Sequence, residues 1–155
     1  MTVLAIDPGP RVSTWVRYGD GKILGIGRDV RNATILEHIP KADVPIVVED
    51  IESFGLPVGD SVFATCRWSG RFQERAFRAG VAMHFLKRKT VKLHLCGNSN
   101  ANGRKVRAAL LDRFSNIALQ GVADHAWSAL AVAVTWEDQH ALGLDEPPHR
   151  SQRGQ

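Results

Sequence analysis

The chain has 155 residues, 44% of them apolar, and carries 20 Lys and Arg against 16 Asp and Glu for a formal net charge of +4. That suffices for one core and gives no reason to expect two, so a single domain over residues 1–142 with a flexible tail, 143–155, is expected. The longest uncharged stretch, residues 126–136, is far too short to cross a bilayer, which excludes a membrane-spanning chain; no secretory-type leader precedes the first strand, so the cytoplasm is the expected compartment. Cys66 and Cys96 have no CxxC or Cys-His spacing around them and are expected to be buried or idle thiols rather than zinc ligands.

In chain order, residues 2–7 are an apolar run that ends in Asp7-Pro8-Gly9, a strand delivering a carboxylate into a tight turn. Residues 12–18 alternate well enough for a second strand. Gly19-Asp20-Gly21 then reads as a hairpin turn and residues 22–28 as a third strand. A short helix is expected over 31–39, with Ile35, Leu36 and Ile39 on one side and Pro40 ending it. The apolar run 44–50 follows this crossover and should lie parallel to the first strand. It ends in Glu49 and Asp50, so two buried-type strands bring carboxylates to one edge of a sheet, where their repulsion is costly unless a cation neutralises it.

Residues 51–60 read as a loop. Asp60 or Ser61 can cap a helix over 61–84 with Val62, Phe63, Cys66, Phe72, Ala76 and Phe77 as its apolar positions. A strand over 89–95, a helix from an Asn102 cap to 114 and a last helix over 123–140 complete an α/β domain with a mixed sheet flanked by helices. The last helix is apolar almost all round, so it should be packed between other elements, with Asp124 and His125 held at its start.

Asp7 alone reads equally well as a turn or cap residue. Together with Glu49 and a third ligand from Asp124 or His125, it makes a plausible site for divalent metal. Hard oxygen ligands match Mg²⁺, with Mn²⁺ as substitute, better than zinc. Rigid strands and a packed helix suit in-line phosphoryl chemistry with two ions about 3.5–4 Å apart. By strand alternation Asp50 should point to the opposite face. His84, His94 and His140 show no partners in the sequence and are expected to be ordinary, and Trp68 and Trp136 to pack.

Ala5-Ile6-Asp7-Pro8-Gly9, then Val47-Val48-Glu49, then Ala123-Asp124-His125 running into Ser128-Ala129-Leu130-Ala131-Val132-Ala133, resembles the RuvC-like Holliday junction resolvases of the RNase H-like nuclease superfamily over roughly residues 1–140. Residues 51–59 and 102–114 are also similar to small phage or prophage members. The resemblance implies an RNase H-like fold with a five-stranded mixed sheet. It also implies a Mg²⁺-dependent endonuclease making paired nicks in branched DNA, a homodimer, and Asp7, Glu49, Asp124 and His125 as catalytic and metal-binding residues. The family usually carries a second acid one turn after the first ligand on the last helix. Here Asp124 and His125 are adjacent, and Trp127 and Ser128 follow three positions on. Asp124 is favoured by chemical hardness and His125 by the Ser-Ala-Leu-Ala alignment, with His125 also a candidate proton shuttle.

Between residues 67 and 92 eight Lys and Arg face the single acid Glu74. Arg67, Arg71, Arg75 and Arg78 fall on one helical face, Lys87-Arg88-Lys89 adjoin them, and these residues are expected to track DNA phosphates without reading sequence. In the loop before them, Phe54 is a candidate wedge at a junction centre. Three other readings remain at this point: a catalytically degenerate structure-specific DNA-binding module, an RNase H-like nuclease for hybrids or flaps, and an actin-like phosphotransferase, which the short chain without further Gly-rich loops disfavours.

Overall fold

A computed structural model describes residues 1–53, 55–114 and 124–143, apart from the side chain of Asp124. Phe54 and all of the tail beyond Gly143 lie outside the described residues. Five strands, β1 (Thr2–Asp7), β2 (Val12–Gly19), β3 (Lys22–Arg31), β4 (Ile46–Asp50) and β5 (Met83–Lys87), form one sheet in the order β3-β2-β1-β4-β5. The first three are an antiparallel meander, while β1–β4 and β4–β5 are parallel. The β2–β3 turn places Asp20 at φ 50° and Gly21 at φ 73°, the paired left-handed conformations of a tight hairpin.

The helices are α1 (Asn32–His38), α2 (Asp60–Ala79), α3 (Arg88–Cys96), α4 (Gly103–Arg113) and α5 (Asp124–Ala141), with a 3₁₀ turn at Ile39–Lys41 that carries Pro40. Strand alternation divides the core in two. Val3, Ala5, Val16, Tyr18 and Val47 face α5, whose Leu130 and Val134 are fully buried; Ile6, Ile46 and Val48 face the other way, toward Ile35, Ile39, Phe72 and Ala76 of α1, the 3₁₀ turn and α2. With α3 and α4 against its outer side, α5 is buried nearly all round, as its composition predicts.

Two expectations on the region 61–95 are corrected. The helix stops at Ala79, because Gly80 takes φ +70° and its N–H reaches back to the carbonyls of Ala76 and Phe77. The chain then forms β5, and the stretch expected as a strand over 89–95 is the helix α3, in which Val91 is buried and Leu95 packs one turn on from it. The strand count holds, because the fifth strand lies a few residues earlier. On α2 the core positions are Thr65, Phe72 and Ala76, whereas Phe63, Cys66 and Phe77 are exposed. No side chain caps α2, whose N-cap is Gly59; Asn102 does cap α4, accepting from the Lys105 N–H. His94 has a partner after all: it contacts Asp138, which also takes a two-pronged pair from Arg113.

Candidate active site

The site forms where β1 and β4 end side by side. The parallel register pairs Ile6 with Val48, and one residue further along lie Asp7 and Glu49. Both follow the phase of Val3, Ala5 and Val47, so both carboxylates turn to the α5 side of the sheet, where that helix begins. Glu49 is 8% exposed and Asp7 is similarly enclosed. Burial, followed by the charge and hydrogen bond of Glu49, pushes the Asp7 carboxyl up to about 7; His125, with Nδ1 at 3.2 Å from Asp7 Oδ2, pulls the other way. Asp7 thus keeps its proton up to near neutrality, held there first by burial and then by the neighbouring carboxylate.

Glu49 has a second neighbour. Arg88 Nε lies 2.6 Å from Glu49 Oε1, and this hydrogen bond, together with the charge of Asp7, raises the guanidinium above its ordinary value. Arg88 is the first residue of α3, immediately after β5, and β5 lies next to β4 with Glu49 opposite Leu86. The helix start therefore swings Arg88 over Glu49.

These groups line a cleft of about 540 Å³, which also takes in Ser128 of α5 and Ser61, Val62 and Thr65 from the first turns of α2. Its floor is held by a buried polar trio that no local sequence pattern marks. Asn32, fully buried, donates from Nδ2 to the Gly9 carbonyl at 2.8 Å and accepts from the Ser13 hydroxyl, which in turn accepts from the Gly9 N–H at 3.2 Å. These bonds fix the turn that follows Asp7. Gly9 itself admits no side chain, since a Cβ there would lie 2.3 Å from the Val12 carbonyl oxygen.

Among the described residues no three His, Cys, Asp or Glu side chains come together as an ion cage. Asp7 and Glu49 form a pair with His125 against Asp7, and the side chain of Asp124, the other expected ligand, lies outside the described residues. Asp50 keeps the opposite strand phase but still borders the cleft.

The expected DNA contacts divide. Arg67, Arg71, Arg75 and Arg78 are all exposed along α2. Arg71 lies over Trp68, 4.0 Å from the ring centre, and Arg78 pairs with Glu74 at 2.6 Å. Lys87 stands 3.9 Å from Glu52, tying the loop after β4 to β5, and Lys89 is exposed on α3. Arg88 alone belongs to the carboxylate centre. Phe54 lies outside the described residues.

No protein-family model matches the chain, and no curated protein does. Among solved structures it is similar to RuvC of Thermus thermophilus, with a TM-score of 0.73 and 21% identity over 92% of this chain and 97% of that one. It is likewise similar to T. thermophilus RuvC in complex with a Holliday junction substrate, with a TM-score of 0.70 and 22% identity over 95% and 99% of the two chains. The fold is therefore the RuvC one, an RNase H-like α/β sheet of five mixed strands, as the sequence resemblance implies. No described helix is long and apolar enough to cross a membrane.

Proposed function

We propose that this protein is a divalent-metal-dependent endonuclease that cuts branched DNA, four-way junctions above all, by paired nicks. The observation that carries the reading is the Asp7–Glu49 pair, enclosed at adjacent parallel strand ends and turned toward the start of α5. The donor set fits a hard cation. Burial and the neighbouring Glu49 keep a proton on Asp7 up to about neutral pH even with Arg88 beside Glu49 and His125 beside Asp7, and Mg²⁺ or Mn²⁺ would offset the remaining negative charge better than that proton does.

Asp7 and Glu49 would hold the metal, with Asp124 and His125 completing the set, in a site for two ions. When bound, such ions supply an activated water and stabilise the leaving oxygen of an in-line phosphoryl displacement. The chain's own groups do the rest. His125, 76% exposed at its side chain and hydrogen-bonded through Nδ1 to Asp7, is oriented to take or give a proton at its outer nitrogen. Arg88 offers a guanidinium between Glu49 and an incoming phosphate. The trio of Gly9, Ser13 and Asn32 keeps the turn after Asp7 rigid, so the carboxylate meets substrate without rearranging.

The exposed arginines of α2, with Lys87 and Lys89, would follow phosphates leading to the cleft, and Phe54 would enter the unstacked centre of the junction. Paired nicks across a two-fold junction need two active sites, hence a homodimer. Its seam would be Phe63, Gly70 and Phe77, seven residues apart on α2, with both aromatics exposed. Residues 1–142 make up the nuclease domain, and a cytoplasmic setting in a bacterial or phage-infected cell follows from the substrate.

The test is cleavage of a labelled four-way junction with Mg²⁺ or Mn²⁺, wild type against Asp7→Asn, with linear duplex as control. Symmetric nicks near the branch point that vanish in the variant are expected. Preference for RNA–DNA hybrids or flaps over junctions would replace the substrate assignment. Two observations favour a second reading, a binding module without catalysis: Ser128 stands three positions after His125, where an acid is usual, and Arg88 already occupies one oxygen of Glu49. Tight junction binding with no cutting in either metal would establish it.

A further inference from the structure

A second cavity, of about 420 Å³, lies on the other face of the sheet, and no described residue lines both it and the carboxylate cleft. Ile6, Trp15 and Val30 of the first three strands form one wall, and Ile35 of α1 with Ile39 of the 3₁₀ turn forms the other. Trp15 reaches across β3 at Gly25 and Gly27, two positions without side chains, and a Cβ on Gly27 would collide with the indole nitrogen. The size falls in the range of about 300–1,000 Å³ usual for ligand pockets. No described residue of α2 lines this groove, so it is separate from the seam proposed above for a dimer.

Among the lining residues Thr34, His38, Lys41 and Asp43 are exposed and Arg17 is half-exposed, so the polar groups stand at the mouth. Arg17 holds Asp43, the single acid among the described lining residues, through two hydrogen bonds of 2.9 and 3.0 Å. Lys41 forms no salt bridge among the described residues. His38 donates from Nδ1 to the Thr34 carbonyl at 2.8 Å, which leaves Nε2 for a ligand. The mouth thus carries net positive charge around an apolar interior, and the complementary occupant is apolar where it enters and acidic where it emerges. A nucleobase fits poorly, because the aliphatic walls would leave its edge N–H and C=O groups unpaired. Beside the groove, β3 is the last strand of the sheet, so its outward N–H and C=O groups have no strand partner, and Val30 brings that edge to the cavity. Such an edge suits an extended chain better than a compact small molecule.

We propose that this groove docks an acidic peptide segment of a partner protein, which adds to the free edge of β3 and places an apolar side chain between Trp15 and α1. Its acids meet Lys41, His38 and the outer edge of Arg17. The carboxylate cleft opens on the opposite face, so docking brings the protein to its partner without blocking that site. The contact does not depend on what the cleft does.

The experiment selects random short peptides displayed on phage against the wild-type protein, with Thr34→Trp, which fills the mouth, as the counter-selection. The enriched sequence is then made as a fluorescein-labelled peptide and titrated by fluorescence anisotropy. Asp or Glu flanking Phe, Trp, Leu or Ile should be enriched. Thr34→Trp and Lys41→Glu should each weaken binding at least about tenfold, Lys41→Arg should hold it within about twofold, and added salt should weaken it. Both positions are exposed, so Tm should stay unchanged in all three variants. Methylating alternate backbone amides of the peptide should abolish binding in one phase and spare it in the other, as for an added strand. Failure to enrich any sequence, enrichment of basic or uncharged ones, affinity untouched by Thr34→Trp, or methylation tolerated at every amide would overturn the proposal. Three further results would overturn it by naming another occupant. Enriched sequences that match residues 144–148 would give the groove to the chain's own C-terminal segment. A wild-type dimer that dissociates on Thr34→Trp in sedimentation equilibrium would give it to a second copy, and displacement of the peptide by a four-way junction would give it to nucleic acid.

Discussion

Arg88 Nε lies 2.6 Å from Glu49 Oε1, so a residue that a basic run marks out as a candidate DNA contact is also the counter-ion of a carboxylate in the candidate site. Its guanidinium competes with any cation for that oxygen and also supplies charge that a phosphate would meet. Arg88→Gln should therefore act with opposite signs on two ligands. Mn²⁺ binding, followed by electron paramagnetic resonance, should tighten by about threefold to tenfold, a modest effect because the arginine side chain is half-exposed. Junction affinity should fall by a similar factor. Loss of both affinities together would mean that Arg88 supports the metal site rather than competing with it.

Asp7 sets the pH behaviour. Its carboxyl, pushed up to about 7 by burial and by Glu49, holds a proton more tightly in the folded than in the unfolded chain, where the value is near 3.8. Its contribution to stability is therefore present at low pH and is lost as pH rises from about 4 to about 7. Melting curves without divalent ions should show wild-type Tm falling across that window by about 5 °C or more relative to Asp7→Asn. Added Mg²⁺ should recover the loss at pH 8 and do little at pH 5, because the carboxylates must be deprotonated to hold it. Cleavage should rise about tenfold per pH unit below the Asp7 value and level off above it. Parallel wild-type and Asp7→Asn melting profiles would rule this account out.

Asn32 holds the turn after Asp7 without lining the cleft itself. Asn32→Ala leaves the Gly9 carbonyl without its side-chain donor and takes away the acceptor of the Ser13 hydroxyl, all in a buried setting. The expected cost is about 1–3 kcal/mol, read as a Tm lower by about 3–10 °C. If the trio positions Asp7, kcat at saturating junction should fall at least about tenfold while junction affinity stays within about twofold, since a small misplacement of a reacting group is costly and phosphate contacts are untouched. Equal losses in kcat and affinity would reduce Asn32 to a packing residue.

How much of this was legible in the chain depends on sequence distance. The hairpin at Asp20-Gly21, the parallel return of β4 and the packed last helix each follow from a local pattern, and so does the meeting of Asp7 with Glu49 once the two strands are known to be parallel. The region 80–96 departs from its local pattern: the helix expected over 61–84 runs through Gly80, and Val91, Leu93 and Leu95 alternate as in a strand. Tertiary context decided otherwise: Gly80 adopts the left-handed cap, and Val91 finds its burial against α4 and α5 as a helical residue. The links of Ser13 to Asn32 and of Glu49 to Arg88 span 19 and 39 residues and leave no local trace. Only the folded sheet brings their elements together.

The aromatic seam of α2 gives the last test. At about 100° per residue, Phe63, Gly70 and Phe77 fall within about 40° of one another, next to the arc of Arg67, Arg78, Arg71 and Arg75 and away from the core arc of Thr65, Phe72 and Ala76. Phe77 is 81% exposed and Phe63 52%, which is unfavourable for a monomer in water. Two α2 helices crossing antiparallel at Gly70 would set Phe63 of one copy against Phe77 of the other, and the missing side chain at the centre lets the backbones approach. Phe63→Asp with Phe77→Asp should convert a dimer to a monomer in sedimentation equilibrium. Because both side chains are exposed in the single chain, the stability of the monomer should change by less than about 0.5 kcal/mol per site. On a cruciform plasmid, wild type should release linear product from paired cuts, whereas the variant should stop at nicked circles. A wild-type protein that sediments as a monomer and still linearises the plasmid would show that the two cuts do not require this seam.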